Sequence, residues 1–421
     1  MKILMTHSVS WGSGSGAVID GIIPELEALG HEVKVFFPEL RVQSESTERY
    51  YESPNRYRPL RFPRQHGGVY FQTYPLLSKD PGPRALGEIK TYKQLSTKEF
   101  KAFRDMLMQE LRATLESFKP DIIEVHHIWL MGYLVSKLGR PYVCTTHNVD
   151  QIAFKADKRM RKYARICAQN AEWIFALSPE NKADILKLYD VPESKVVVME
   201  QGYDNHAFYP TSVHRSQLFA STNLEASLNL PVVIYSGKVS KIKGVDILLK
   251  ANVYLQKTTP CLLLIFGTGD LASVLGRQPK KSEMTHVHVM GHQSPAILAK
   301  YFNVAKLAVI PSRKEGFGIT ALEAMGCSVP LVAARVGYLP RIVVGELVAP
   351  ENPQALAAGI SKILQMPETE YRKLKILAYE QSLRFTWKKN VEMRLFYYDK
   401  MVNHSQATTP AAATQRAGST G

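Results

Sequence analysis

The chain has 421 residues, 45% hydrophobic and 10% aromatic, enough to bury two ordinary cores, so two domains are the starting expectation. Its formal charge of +15 suits nucleic acid, an anionic membrane or phosphate-bearing substrates and separates none of them. Four cysteines without metal-ligand spacing (Cys144, Cys167, Cys261, Cys327) argue against a disulfide scaffold or a cysteine-bound zinc. No uncharged apolar run approaches the ~18 residues needed to cross a bilayer. The chain opens on a strand pattern, not a signal peptide, and reduced core cysteines suit a cytosolic protein, at most attached to a membrane surface.

Residues 1–8 predict a strand, followed by a glycine-rich loop (Trp11 to Gly16) and a helix over 17–29 with apolar spacing. Residues 31–38 predict a second strand, completing a βαβ opening of the doubly wound kind. The loop lacks the full G-x-G-x-x-G fingerprint and the acid after strand two, so a dinucleotide site is weakly supported and a plain loop stays open. Residues 41–98 are irregular and rich in Arg, Tyr and Pro, with one clear strand over 69–74. Long irregular segments inside compact domains are functional or disordered. Arg56, Arg58, Arg61 and Arg64 can face an anionic acceptor or lipid headgroup, or form a solvated face.

An amphipathic helix over 97–118 leads to a buried strand over 121–128, a helix over 129–138 and a strand over 142–146. His126, His127 and His147 follow strand ends, which in open parallel sheets face the ligand crevice. His126 reads equally as a satisfied core histidine. No carboxylate or cysteine pattern completes a metal set around the three. A basic helix over 154–170, a strand over 173–178, a helix over 179–188 and a strand over 196–199 finish the half. Residues 211–230 are polar and irregular, as a domain boundary should be.

The pattern then starts over. A strand over 232–236 turns at Gly237-Lys238, and Lys243-Gly244 precedes a helix ending near 257. A strand over 262–266 ends in Gly267-Thr268-Gly269, and one over 287–290 ends in Gly291-His292. After a strand over 307–311 come Glu315, Gly316, Phe317 and Gly318, a helix over 319–327 and a strand over 331–334. Glu315 and Glu323 stand eight positions apart, so a helix starting near Phe317 would put both carboxylates on one side. A strand, a glycine turn and a helix N-terminus offer free backbone N–H groups to an anionic or polyhydroxyl ligand. Read alone, the two glutamates are equally a solvated first turn. Helices over 353–364, 368–383 and 387–401 follow, and the Ala/Thr/Ser-rich tail from 404 has no periodicity, the composition of a disordered segment.

The run EGFGITALEAMGCSVPLVAA resembles the E-x7-E signature of the family 4 glycosyltransferases, retaining enzymes of the GT-B fold. Lys238, Lys243, the Gly267 turn, Gly291 and the two glutamates come in the family's order. Thr145-Thr146-His147-Asn148 is similar to its T-x-H strand end. The run from Gln201 to Pro210 resembles its N-G-V-D-x3-F-x-P hinge, with Gln201 where Asn is usual. The chain departs after the motif: the family continues with Gly-Gly and a later Glu, whereas here Gly337 is followed by Tyr338 and Arg341.

The resemblance implies an α/β protein of GT-B architecture, two Rossmann-like doubly wound domains facing across a cleft. Residues 1–205 would bind the acceptor and 206–386 the nucleotide sugar, with a helix over 387–402 crossing back and 403–421 as tail. Glu315 and His147 would lie at the reacting sugar, with Phe317 and Gly318 holding it through backbone N–H groups. Glu323 would accept from ribose hydroxyls, and Lys238 and Lys243 would grip the diphosphate. Gly14 and Gly16 would approach it from the first loop, Gly267 and Gly269 would lie beneath the nucleotide, and Gly291 and His292 would meet the base. His127 and the Arg56–Arg64 run fall on the acceptor side.

The implied reaction moves a glucose- or N-acetylglucosamine-type sugar from a nucleotide diphosphate, UDP being the family's commonest, to an acceptor hydroxyl with retention. The acceptor would be an envelope glycan, a glycolipid or a small aglycone. No D-x-D triplet occurs, so lysines and a helix dipole stand where a metal would, and no cofactor or nucleic-acid partner is expected. A GT-B epimerase or phosphorylase, or a non-catalytic sugar-nucleotide or nucleic-acid binder, are the competing readings.

Overall fold

A computed structural model describes residues 1–9, 14–40, 53, 55–77, 89–220, 222 and 224–407. Trp11 to Ser13 of the glycine loop, part of the arginine-rich segment and the tail from 408 lie outside the described residues. Among those described, the first half forms β1 (Lys2–Thr6), β2 (Glu32–Leu40), β3 (Tyr57–Phe62), a hairpin of β4 (Arg64–His66) and β5 (Val69–Phe71), then β6 (Ile122–His126), β7 (Val143–Thr145), β8 (Ile174–Ala176) and β9 (Val196–Val198). The second half forms β10 (Val232–Ser236), β11 (Leu262–Phe266), β12 (Val287–Gly291), β13 (Leu307–Ile310), β14 (Leu331–Ala334) and β15 (Gly345–Val348).

These strands make two parallel sheets, ordered β3-β2-β1-β6-β7-β8-β9 and β12-β11-β10-β13-β14-β15. Their central strands are near-continuous apolar runs, such as LLLIF in β11, because helices cover both faces. The strand order reverses between β1 and β6 in one sheet and between β10 and β13 in the other. Ligands of open α/β sheets bind beyond the strand ends at such switch points. The resulting fold is two Rossmann-like sheets, as the sequence predicts.

The chain crosses between the halves twice. Around 199–210, Tyr203 N–H donates to Phe385 O, and Tyr203 pairs with Thr386 as an isolated bridge. The helix Trp387–Ala407 then packs on the first sheet's core, with Trp387, Val391, Tyr398 and Met401 buried beside Ile3, Met5 and Ile22. Gly21 admits this helix: a Cβ there would sit 2.1 Å from the Trp387 ring.

Local differences from the sequence reading have physical causes. The first helix is Gly14–Ala28, so Gly14 and Gly16 occupy its first turn and not a loop. Strand β3 was hidden by its arginines and proline, yet Tyr57, Leu60 and Phe62 are buried while Arg58 and Arg61 face outward. The apolar run over 69–74 is strand only as Val69–Phe71. The basic helix over 154–170 is two helices, Val149–Ala156 and Arg161–Asn170. Asp157 breaks it, its carboxylate accepting from Arg159 N–H at 3.0 Å in an Asx-type turn. The boundary segment also holds a short helix, Arg215–Ala220.

Candidate active site

The first wall of the crevice is a cluster of imidazoles at the switch point of the first sheet. His7 follows β1, His126 ends β6 with His127 just beyond it, and His147 follows β7. Ring centroids are 4.8 Å apart for His127 and His147, 5.1 Å for His7 and His127, and 5.1 Å for the stacked rings of His126 and His147. His126 Nδ1 and His147 Nε2 are 2.9 Å apart, and His7 Nε2 lies 2.7 Å from Ser15 Oγ in the first turn of Gly14–Ala28. Burial is the largest cause holding all four rings neutral, and it brings His127 down to about 3. His127 takes a φ of 81°, uncommon for a residue with a side chain, and its N–H donates to Thr145 O. Buried Asp150 ties the adjacent loops together by accepting from Ile128 N–H at 2.9 Å, and burial pushes its carboxyl up to about 7.

Backbone builds most of the second wall. Gly244 caps the helix Val245–Thr258 at φ 73°, and a Cβ there would lie 1.9 Å from Pro311 O. Gly267 sits so close to the turn after β10 that its Cβ would meet Gly237 O at 1.9 Å. Gly269, at φ 133°, packs likewise on Val239 O. Gly267 N–H donates to Gly291 O at 2.8 Å, which joins the ends of β11 and β12. Lys238 and His292 are exposed on these turns.

The glutamate motif lies at the second switch point. The helix is Ile319–Gly326, capped by Gly318 at φ 97°, so Glu315 stands in the loop before it and not on the helix side that carries Glu323. Lys243 Nζ donates to both Glu315 oxygens at 2.8 Å, and Ser312 Oγ adds a third donor at 3.0 Å. Glu323 has different surroundings: burial, then the nearby Asp204 carboxylate, push its carboxyl up to about 7. Phe317 is a core side chain, stacked on Tyr338 at 4.6 Å, so only its backbone is available to a ligand.

The two walls meet beside their principal residues. A Cβ on Gly316 would lie 2.7 Å from Asn148 Nδ2, so the neighbour of Glu315 packs on the neighbour of His147. The residues that depart from the motif also cross between the halves. Tyr338 OH donates to the Glu200 carboxylate, and Arg341 lies 3.5 Å from Glu180. Gly337 closes over the motif, since its Cβ would sit 2.0 Å from Glu315 O.

The arginine run is not gathered into this site. Arg56 makes a two-pronged pair with Glu27, while Arg58 and Arg64 share Glu110. Arg61 is exposed on β3, the edge strand of the first sheet. Sequence reasoning missed His7, Ser312 and Asn148. The strand-end rule that selected His147 also selects His7; Asn148 adjoins His147 in the T-x-H run but is given no role there, and Ser312 carries no local signal. Among the described residues no group of three or more side chains is arranged to hold a metal, and no helix is long and apolar enough to cross a membrane.

Comparison with known proteins fits this geometry. Residues 12–206 match the family described as Glycosyltransferase Family 4, and residues 219–381 match Glycosyl transferases group 1. A D-inositol 3-phosphate glycosyltransferase of Salinispora tropica is 28% identical over 67% of this chain, which spans 64% of that relative's length. Among solved structures, sucrose-phosphate synthase from Thermosynechococcus elongatus aligns with a TM-score of 0.70 at 20% identity, covering 96% of this chain and 99% of that one. Anabaena HepE in complex with UDP-glucose aligns with a TM-score of 0.68 at 15% identity, covering 97% and 100%.

Proposed function

The chain belongs to the group 1, family 4 glycosyltransferases, retaining enzymes of GT-B fold, and from that premise we propose that it moves a hexose-type sugar from UDP to an acceptor hydroxyl. The observation that supports this reading is the junction of Gly316 with Asn148, which packs the chain neighbour of Glu315 on the chain neighbour of His147. UDP as donor is supported by the UDP-glucose complex of the neighbouring fold.

In this reading residues 1–205 receive the acceptor and 206–386 hold the donor, with 387–402 bracing the first half. The diphosphate sits over the N-terminus of Val245–Thr258, where free N–H groups and the helix dipole favour negative charge. Lys243 has three N–H donors, so it can hold Glu315 and still reach a phosphoryl oxygen, with Lys238 alongside. Gly14 and Gly16 approach the diphosphate from the other side. Gly267, Gly269, Gly291 and His292 border the nucleoside, and Glu323 accepts from the ribose. Phe317 and Gly318 offer backbone N–H groups to the sugar.

The departing diphosphate takes the acceptor proton on the same face, while Glu315 and His147 hold the cation-like sugar as charge develops. Lysines and a helix dipole supply the positive charge, so turnover needs no divalent ion. The acceptor we favour is an anionic polyol or glycolipid at the inner face of the membrane, by analogy with the inositol phosphate in the relative's name. A test is UDP release from UDP-glucose over an acceptor panel in excess chelator, with the product's anomeric configuration read by NMR. Retained configuration in chelator supports the reading; strict dependence on added metal, or inversion, contradicts it.

A further inference from the structure

The helix Trp387–Ala407 carries a buried cation into the first sheet. Arg394 and Glu124 are both fully buried. Arg394 Nη1 donates to Glu124 Oε1 and, at 3.1 Å, to Thr145 Oγ1, while its Nε donates to Asn390 Oδ1 at 2.8 Å. Thr145 Oγ1 also donates to Glu124 Oε1, and Tyr398 OH donates to Glu124 Oε2. A carboxylate met by a guanidinium and two hydroxyl donors serves all three as acceptor.

This carboxylate also faces the imidazole cluster. His126 Nε2 lies 3.3 Å from Glu124 Oε1, and His126 Nδ1 lies 2.9 Å from His147 Nε2. A ring nitrogen presenting its lone pair to an anionic oxygen at that distance is repelled, whereas an N–H is attracted. A neutral imidazole has one donor and one acceptor, so the proton on one nitrogen fixes the role of the other. The contact misses hydrogen-bond geometry, so the carboxylate acts on His126 through space; with the proton on His126 Nε2, His126 Nδ1 accepts and His147 Nε2 donates to it. His147 Nδ1 is left as an acceptor. Burial, then Arg394, then the neighbouring imidazoles hold His126 neutral, so a second proton does not scramble the order.

We propose that Glu124, clamped by Arg394 and Tyr398, is a positioning residue that sets the tautomer of His126 and thereby makes His147 Nδ1 the acceptor for a hydroxyl of the donor sugar. The proposal rests on the reading of His147 as a sugar-facing residue. It assigns the C-terminal helix a part in the site that mere bracing would not require. A buried ion pair is a poor source of net stability, and replacing both partners by apolar groups is often neutral. That property makes the structural and positioning roles separable.

The test is nitrogen-15 NMR of histidine-labelled, ligand-free, full-length protein, paired with calorimetric titration of UDP and UDP-glucose. Wild type is expected to show His126 and His147 each protonated on Nε2. The double variant E124L/R394M, which keeps an apolar fill, is expected to give mixed tautomers at both rings. UDP-glucose affinity should fall about tenfold, the weight of one hydrogen bond, with UDP affinity unchanged. E124Q keeps a carbonyl oxygen toward Arg394 and should restore both the single tautomer and the affinity ratio. Wild-type His147 protonated on Nδ1 overturns the proposal without any variant. A folded double variant with wild-type tautomers and an unchanged ratio overturns it as well. Because the tautomer is read without ligand, a wild type that binds no UDP-glucose would contradict the donor reading while leaving the tautomer result to stand or fall alone.

Discussion

The wall of the cleft contributed by the first sheet is made of side chains, and the wall contributed by the second is made largely of backbone. On the first, four imidazoles kept neutral by burial cluster with ring centroids 4.8–6.5 Å apart, and an ion pair from the end of the chain stands behind them. On the second, glycines at positive φ let turns approach to distances that no Cβ would allow, and lysines lie on top. Under the proposed function the difference would suit a nucleotide sugar, whose hydroxyls call for directional side-chain partners and whose diphosphate calls for N–H groups and cations.

The sharpest way to break this comparison is at the carboxylate beside the junction of the two walls. Glu315→Gln should lower turnover of UDP-glucose by about 10²–10³-fold, the usual weight of one charge-stabilising group, with a smaller change in UDP affinity. Equal, small effects at Glu315 and Glu323 in steady-state kinetics would break the assignment. A backbone-built wall should also fail at its close approaches. Gly267→Ala should cost about 1–3 kcal/mol of stability through the clash with Gly237 O, measured by urea melts. Gly291→Ala has the same sign of φ but nothing within 4 Å, and should cost less.

The pH response sharpens the contrast. The Glu323 carboxyl, raised to about 7 in the fold, keeps a proton that the unfolded chain has already lost. Stability should therefore fall as pH rises from the ordinary carboxylate range to about 7, and Glu323→Gln should flatten that fall in thermal melts. If Glu323 accepts from the ribose, UDP affinity should rise as pH passes 7, and the variant should lose that rise. The smallest effect belongs to the arginine run. Arg58→Ala should leave UDP-glucose kinetics unchanged and cost about 0–1 kcal/mol, since its partner Glu110 also holds Arg64 at the surface.

The same contrast explains what could be read from the sequence. The second wall is local: Gly237-Lys238, Lys243-Gly244 and Gly267-Thr268-Gly269 each combine a strand end, a turn and a helix start within a few residues, so spacing betrays them. The first wall is assembled from residues far apart in the chain. His147 was legible because it follows a strand end in a pattern resembling the family's T-x-H. The contact of Glu124 with Arg394 spans 270 positions and leaves no local trace. The helix start at Ile319 separated two carboxylates that spacing alone would align, because Gly318 at φ 97° begins the helix after Glu315 and not before it. Arg56, Arg58 and Arg64 read as anion-seeking only because their partners, Glu27 and Glu110, lie elsewhere in the chain.

The central claim is that a nucleotide sugar bridges the two walls. The most direct measurement is the thermal midpoint with UDP and UDP-glucose in excess chelator, for wild type and His147→Ala. A ligand at a hundred times its dissociation constant adds about 2.7 kcal/mol, a shift of a few degrees. The account predicts that UDP raises the midpoint, that UDP-glucose raises it further, and that His147→Ala removes only the extra rise. No shift with UDP, GDP, ADP or their sugars, or an extra rise that survives His147→Ala, would contradict it.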